Sequence, residues 1–226
     1  YTLQVEEMLE EAKKHPDLKL GIMFNQRTNP YFKKMKELIA NGELGKITRI
    51  NWIITNWFRT QSYYNSGGWR ATWKGEGGGV LYNQAPHNID LFQWIPDMMP
   101  SKVTAHAYFG KYHDIEVEDE VTAFFEYPNG ATGVFITSTG EAPGTNRLKL
   151  RAKWASWYVN SAHLNSIRMM FPARLSPKQV PRDSALPRLT TLNTNSAAII
   201  RSMLVFLTTL RTQFSVLNPS MLPHLT

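Results

Sequence analysis

The chain has 226 residues, of which 42% are hydrophobic and 12% aromatic, enough for one large domain or two small ones with a substantial core. It contains no cysteine, which excludes disulfides and thiolate metal sites and fits a reducing compartment, so a cytoplasmic location is expected. The longest apolar candidate, residues 197–210, is interrupted by Arg201, and the first residues lack a basic stretch followed by an apolar one, so neither a membrane span nor a secretory signal is expected.

The net charge of +7 is unevenly spread. Residues 147–226 carry eleven Lys/Arg and one acid, Asp183, whereas residues 1–146 carry fourteen bases and seventeen acids. All fourteen glycines also precede residue 147. Composition therefore changes near Arg147.

In chain order, residues 2–15 place Leu3, Val5, Met8, Leu9 and Ala12 at helical spacing, with acids early and lysines late, which suits the helix dipole. After the His15-Pro16-Asp17 breaker, "LKLGIMF" (18–24) is an apolar run of strand length and is expected to be a buried strand. Asn29 and Pro30 read as N-cap and first residue of a second helix that Gly42 ends. From Lys46 the period becomes two. Residues 46–58, 102–109 and 119–140 read as strands, the last a hairpin turning at Pro128-Asn129-Gly130, with residues 77–95 as a helical excursion beside the sheet. The expected class is α+β: a remnant of a Rossmann-like α/β unit, then a large open, mostly antiparallel sheet with helices on one face. The expected divisions are 1–28, 29–148 and an atypical basic tail at 149–226.

The candidate chemistry lies between the first long strand and the second. "FRTQSYYNSGGWRATWKGEGGG" (58–79) is aromatic, basic and nearly free of aliphatic residues, which suits a polyhydroxylated ligand that offers both C–H faces and hydroxyls. A glycine-hinged surface loop whose tryptophans cover the sheet has the same composition. In "GGGVLYNQAPHNID" (77–90), Asn83 and His87 are four residues apart and share a face if the segment is one helix. Pro86 as first helical residue would put His87 in the opening turn, near unpaired N–H groups that disfavour imidazolium, so a neutral ring could exchange a proton with a substrate oxygen. A lone histidine can equally satisfy only a local hydrogen bond. His106, on an alternating strand, and His113, in a charged connector, read as structural or solvated. Joined with Glu116 or Glu118 they lack the spacing of a metal-ligand motif, and no metal is expected. "GEGGG" lacks the Gly-x-Gly-x-x-Gly spacing of a phosphate loop.

Three segments, "LGIMFNQRTNPYFKKMKELIANGELGKI", "GGWRATWKGEGGGVLYNQAPHNIDLFQWI" and "IEVEDEVTAFFEYPNGATGVFITSTGEAPGTNRL", resemble the glucose-fructose oxidoreductase and inositol dehydrogenase (Gfo/Idh/MocA) family over about residues 1–148. The glycine triplet, then a histidine, then an aspartate three residues on, is the most specific mark. The resemblance implies NAD(P)-dependent dehydrogenases or reductases of sugars and polyols, with an N-terminal Rossmann domain, and a homo-oligomer formed through the open sheet. Carried over by position, it implies that His87 is the proton-transfer residue. Asn83, often aspartate in the family, could orient a hydroxyl but not accept its proton. It further implies Tyr64, Arg70 and Trp73 facing substrate, and Asn25 and Arg27 beside the nicotinamide. The family's Glu-Lys-Pro lysine and dinucleotide fingerprint do not occur here, so the chain by itself is expected neither to bind NAD or NADP nor to turn over. Two other readings stand beside this one: a non-enzymatic carbohydrate-binding or oligomerisation module, and a basic tail that binds nucleic acid. The scattered bases of the tail make nucleic acid the weaker partner, and no membrane partner is expected.

After Leu148 the resemblance stops. Read one base earlier, Trp154-Ala155 must encode glycine and Trp157-Tyr158 valine, because tryptophan has a single codon. With permitted synonymous codons, residues 151–160 then give a strand, glycine turn and strand, and residues 198–207 a family-like late helix. The basic tail is therefore read as a frameshift product. Sequencing the gene is expected to show an intact family-like continuation in the neighbouring frame; stop codons throughout that frame would remove this reading.

Overall fold

The computed structural model describes residues 2–154, 156–160 and 167–170, so the late-helix reading of 198–207 and the proline-rich stretch 175–196 lie outside the described residues. Helix α1 (Thr2–Lys13) is held locally by Glu10–Lys13 and Glu11–Lys14 pairs at 2.5 and 2.7 Å. Helix α2 (Pro30–Ala40) begins as its sequence dictates. The Asn29 side chain accepts the Tyr31 N–H at 2.9 Å, Pro30 stands where no N–H is needed, and Gly42 follows the helix at a φ of +73°. Its spacing of Phe32, Met35 and Leu38 makes one buried stripe.

The segment 18–24 is not the expected strand. Leu18 is 67% and Met23 82% exposed, and Phe24 alone is buried. A strand requires a neighbour to complete its hydrogen bonds, and none among the described residues pairs with this one. Its apolar pattern was sufficient for a strand, but the ladder is missing.

Seven strands form one sheet: β1 (Ile47–Ile54), β2 (Lys102–Phe109), β3 (Glu118–Glu126), β4 (Thr132–Ser138), β5 (Asn146–Ala152), β6 (Ser156–Asn160) and β7 (Ile167–Met170). Their order is β2-β3-β4-β1-β5-β6-β7, with β1 and β4 parallel and every other neighbouring pair antiparallel. The hairpin turns as expected: Gly130 adopts a φ of +80°, and the Asn129 side chain accepts the Ala131 N–H at 2.9 Å. β5 continues past residue 148, and Trp157 and Val159 of β6 are buried in the same core.

Alternation sorts the side chains into two faces. Ile50, Trp52, Val121, Phe125, Phe135 and Leu150 face a core closed by α2, by the short helix α4 (Val80–Asn83) and by α5 (Pro86–Trp94). The other face carries Ile53, Tyr108 and Phe124, all exposed, with His106, Arg147 and Arg151. The fold is thus α+β, with helices on one face of an open sheet. Within the described residues no helix is long and apolar enough to cross a membrane.

Adjacent phenylalanines test this sorting. Phe125, whose ring centroid lies 5.0 Å from that of Phe92, is expected to cost about 3–5 kcal/mol on replacement by alanine, measured by denaturant unfolding. Phe124→Ala, on the open face, is expected to cost less than about 1 kcal/mol in the monomer.

Candidate active site

Because β1 and β4 run parallel, both end at the same edge of the sheet, and the antiparallel β3 begins there. The functional loops gather on that rim. After β1, the Thr55 N–H donates to the Thr145 carbonyl (2.6 Å) and the Arg59 N–H to the Thr139 carbonyl (2.9 Å), while the Thr139 N–H donates to the Asp119 carbonyl (3.0 Å). Asp119, fully buried, accepts the N–H groups of Lys111, Tyr112 and His113 at 2.8–3.2 Å, which folds the connector after β2 into a tight turn.

His113 completes this hub. Its Nδ1 lies 3.2 Å from the Asp119 carboxylate and its Nε2 lies 2.9 Å from the Arg59 carbonyl. Both ring nitrogens face oxygen atoms. The ring ties the connector to the aromatic loop and leaves no ligand-facing nitrogen. His106 is exposed on the open face, and no group of three His, Asp or Glu side chains suited to a metal occurs among the described residues.

The glycine triplet is shaped by a second buried acid. Glu118, at the start of β3, accepts the Gly79 N–H at 2.9 Å and the Leu81 N–H at 3.1 Å, at the head of α4. The contact is so close that a Cβ at Gly79 would stand 2.0 Å from the Glu118 carbonyl oxygen. Glycine is required there by lack of room, not by a positive φ. Burial pushes the Glu118 carboxyl up to about 7, against the opposing effect of its backbone N–H partners, and the charge of Glu76 adds to the rise. Glu76 grips the other side: one oxygen accepts the Ala71 N–H at 2.8 Å and the other the Asn83 side-chain amide.

Asn83 and His87 do not share one helix. α4 ends at Asn83, the chain turns through Gln84 and Ala85, and α5 restarts with Pro86 at its first position, placing His87 in the opening turn. Asn83 is exposed, but its amide donates to Glu76 and its Oδ1 accepts from Gln84 at 2.9 Å. The His87 ring is partly exposed and meets Phe24 edge-on at 5.9 Å, and its Nδ1 is enclosed without a partner.

The remaining expected residues are placed as follows. Tyr64 does not face outward: helix α3 (Gln61–Asn65) turns it into a small cluster with Ala71 and Val117, where its hydroxyl donates to Thr139 Oγ1 at 2.9 Å. Burial raises its phenol above the ordinary value. Tyr63, one position earlier, is the less buried of the two, packed beside the same cluster, and receives a hydrogen bond from Arg70 Nη1 at 3.0 Å. Trp73 is half-buried against Phe109, its N–H donating to Glu116 at 3.1 Å. Asn25 is exposed at the head of a 3₁₀ turn (Asn25–Thr28). Arg27, in the same turn, is committed elsewhere. Its Nε donates to Asp90 at 2.7 Å and its Nη2 to the other oxygen of that carboxylate, while its guanidinium lies over Phe24 and Trp94. The partners of Asp90, Glu76 and Glu118 escape a reading of the sequence alone because each acts on residues distant along the chain or through the backbone.

A family model, the GFO/IDH/MocA C-terminal domain, matches residues 32–156. The chain belongs to this family. The putative oxidoreductase YteT of Bacillus subtilis (strain 168) is 28% identical over 113 residues, which cover 49% of this chain and 26% of that relative. The WlbA dehydrogenase of Bordetella pertussis, solved with NADH and UDP-GlcNAcA, has the same fold at 22% identity and a TM-score of 0.75, covering 92% of this chain and 65% of its own. A levoglucosan dehydrogenase solved with NADH and levoglucosan matches at 20% identity and a TM-score of 0.59, covering 69% of this chain and 44% of its own. The chain thus spans about a quarter of the curated relative and less than two thirds of these structures.

Two measurements test the acid clamp on the glycine turn. The folded state raises the affinity of Glu118 for its proton, so its contribution to stability is full below the ordinary carboxylate range and is lost as pH rises through about 7, by on the order of 3 kcal/mol. Glu118→Gln is expected to flatten that part of the pH–stability curve. Gly79→Ala is expected to cost more than about 3 kcal/mol, or to expel α4 as seen by loss of amide protection at Leu81.

Proposed function

We propose that this chain forms the substrate-side half of an NAD(P)-dependent oxidoreductase that oxidises a hydroxyl, or reduces a carbonyl, of a sugar or polyol by hydride exchange. The observation that carries this reading is His87 at the opening turn of α5, with Nδ1 enclosed and the ring otherwise reaching the rim. Nε2 is then the nitrogen left to meet a substrate oxygen, and it holds or takes the hydroxyl proton. Asn83 cannot take that proton. Fixed by Glu76 and Gln84, it orients a hydroxyl instead. The less buried Tyr63, with Arg70 and Trp69, replaces Tyr64 as the aromatic substrate surface. The division into residues 1–28, a substrate domain from 29 and a differing tail from 149 belongs to the same proposal.

The dinucleotide itself does not fit these residues. Its phosphates need free backbone N–H groups at a glycine turn, and in "GEGGG" the N–H of Gly79 is already held by the Glu118 carboxylate, with Glu76 alongside. The Glu76 carboxylate there would repel a phosphate. Of the two residues proposed beside the nicotinamide, Asn25 is exposed, and Arg27 also joins the His87 helix to the 3₁₀ turn through Asp90. We assign the open face, with Tyr108, Phe124 and Ile53 exposed, to contact with a second copy of the chain. The half-exposed Trp69 also favours a second reading, a module that binds carbohydrate without catalysis.

Fluorescence titration of these residues with NADH or NADPH is expected to show no saturable binding, while titration with sugars does. Joined to a dinucleotide-binding domain, the protein is expected to reduce or oxidise members of a sugar and polyol panel, and His87→Ala to lower kcat by about 10²–10⁴-fold. Turnover unchanged in His87→Ala would refute the assignment, and sugar binding with no turnover in the joined protein would favour the module.

A further inference from the structure

Two arginines on the rim have no counter-ion among the described residues. Arg59 and Arg70 place their guanidinium carbons 5.0 and 4.6 Å from the centroid of the same Tyr63 ring, and Arg70 also lies 4.4 Å from the centroid of Trp69. Stacking fixes the plane of each guanidinium and leaves its N–H edges to find acceptors. Arg70 uses Nη1 on the Tyr63 hydroxyl, and Arg59 uses Nη1 on the Phe58 carbonyl while its Nε is enclosed with no acceptor. Each guanidinium has five N–H donors, so most remain unassigned. Among the described residues, neither arginine forms an ion pair.

The acids of the same rim are already engaged by backbone N–H groups and not by these arginines: Glu76 by Ala71, Glu116 by Trp73, Asp119 by Lys111, Tyr112 and His113. Two like charges gathered on one ring repel each other, and an anion between them relieves that repulsion. We propose that Arg59 and Arg70 bind the oxyanion of an acidic sugar, a carboxylate or a phosphoryl group, which resting on the sugar reading above names its substrate class. An oxyanion accepts from both forks at once, with charge-assisted bonds that a neutral hydroxyl cannot match. The site connects to the chemistry through one residue. Glu76 holds the backbone next to Arg70 with one oxygen and the Asn83 amide with the other, so an anchored oxyanion sets the sugar against Asn83 and His87.

Calorimetric titration of the full chain with glucose, glucuronate and glucose 6-phosphate tests this. At least one anion is expected to bind about tenfold or more tightly than glucose, a preference that shrinks with added salt. The stronger of the two identifies carboxylate or phosphoryl as the bound group. In Arg59→Ala and Arg70→Ala the ratio of anion to glucose affinity is expected to fall toward one, and Arg70→Lys, with its charge but no fork, to fall between. Glucose binding as tight as both anions overturns the proposal and leaves the sugar reading standing, and failure of all three to bind overturns both. A preference that survives in the double alanine variant also overturns it. The comparison on the unaltered chain needs no variant to fold.

Discussion

The rim of this sheet depends on one carboxylate placed where water cannot reach it. Glu118 stands at the first position of β3, and its two oxygens meet the N–H groups at the head of α4, so the strand and the glycine turn are joined through backbone groups. Burial favours the protonated form of this group, and the two peptide donors that occupy its oxygens oppose that rise. Gly79 follows from this constraint, since any side chain would fill the space the strand occupies. From that fixed point α4 leads within a few residues to Ala85 and Pro86, and so to the ring of His87.

A second carboxylate network acts on the far side of the same helix pair. Asp90 holds Arg27 with both oxygens, and Arg27 in turn lies against Phe24 and Trp94, the aromatic groups that flank α5. Phe24 packs edge-on against His87. The ring is therefore held between a strand-anchored turn and a chain segment 63 residues distant from Asp90 in sequence. Orientation of the imidazole is thus a property of two networks, and neither includes the imidazole itself.

Much of this was legible in the sequence, wherever a residue acts on its own neighbourhood. The Asn29 cap, Pro30, Gly42, the turn at Asn129-Gly130, the span of β2 and the restart at Pro86 each follow from local chemistry, and each stands where the pattern puts it. Segment 18–24 has an equally good pattern, but a strand is completed by its neighbour, and its pattern says nothing about whether one is present. Which of Tyr63 and Tyr64 is the more buried was not legible for a different reason. Adjacent residues on a helix point about 100° apart, so the orientation of the five-residue α3 decides which ring is buried, and only the Thr139 hydroxyl across the rim settles it. The pairing of Arg27 with Asp90 could not be inferred from spacing, because the two stand 63 residues apart.

The parallel pairing of β1 with β4 has a consequence for how such a scaffold could diversify. The segments that follow β1, β2 and β4 leave from one end of the sheet, while the helices that fill the core lie against its face. A lengthened or shortened segment between Thr55 and Gly75 would remodel the ligand mouth without disturbing a single core residue of β1 through β5. Selection could therefore edit the margin with α5 and the ring of His87 left where they are.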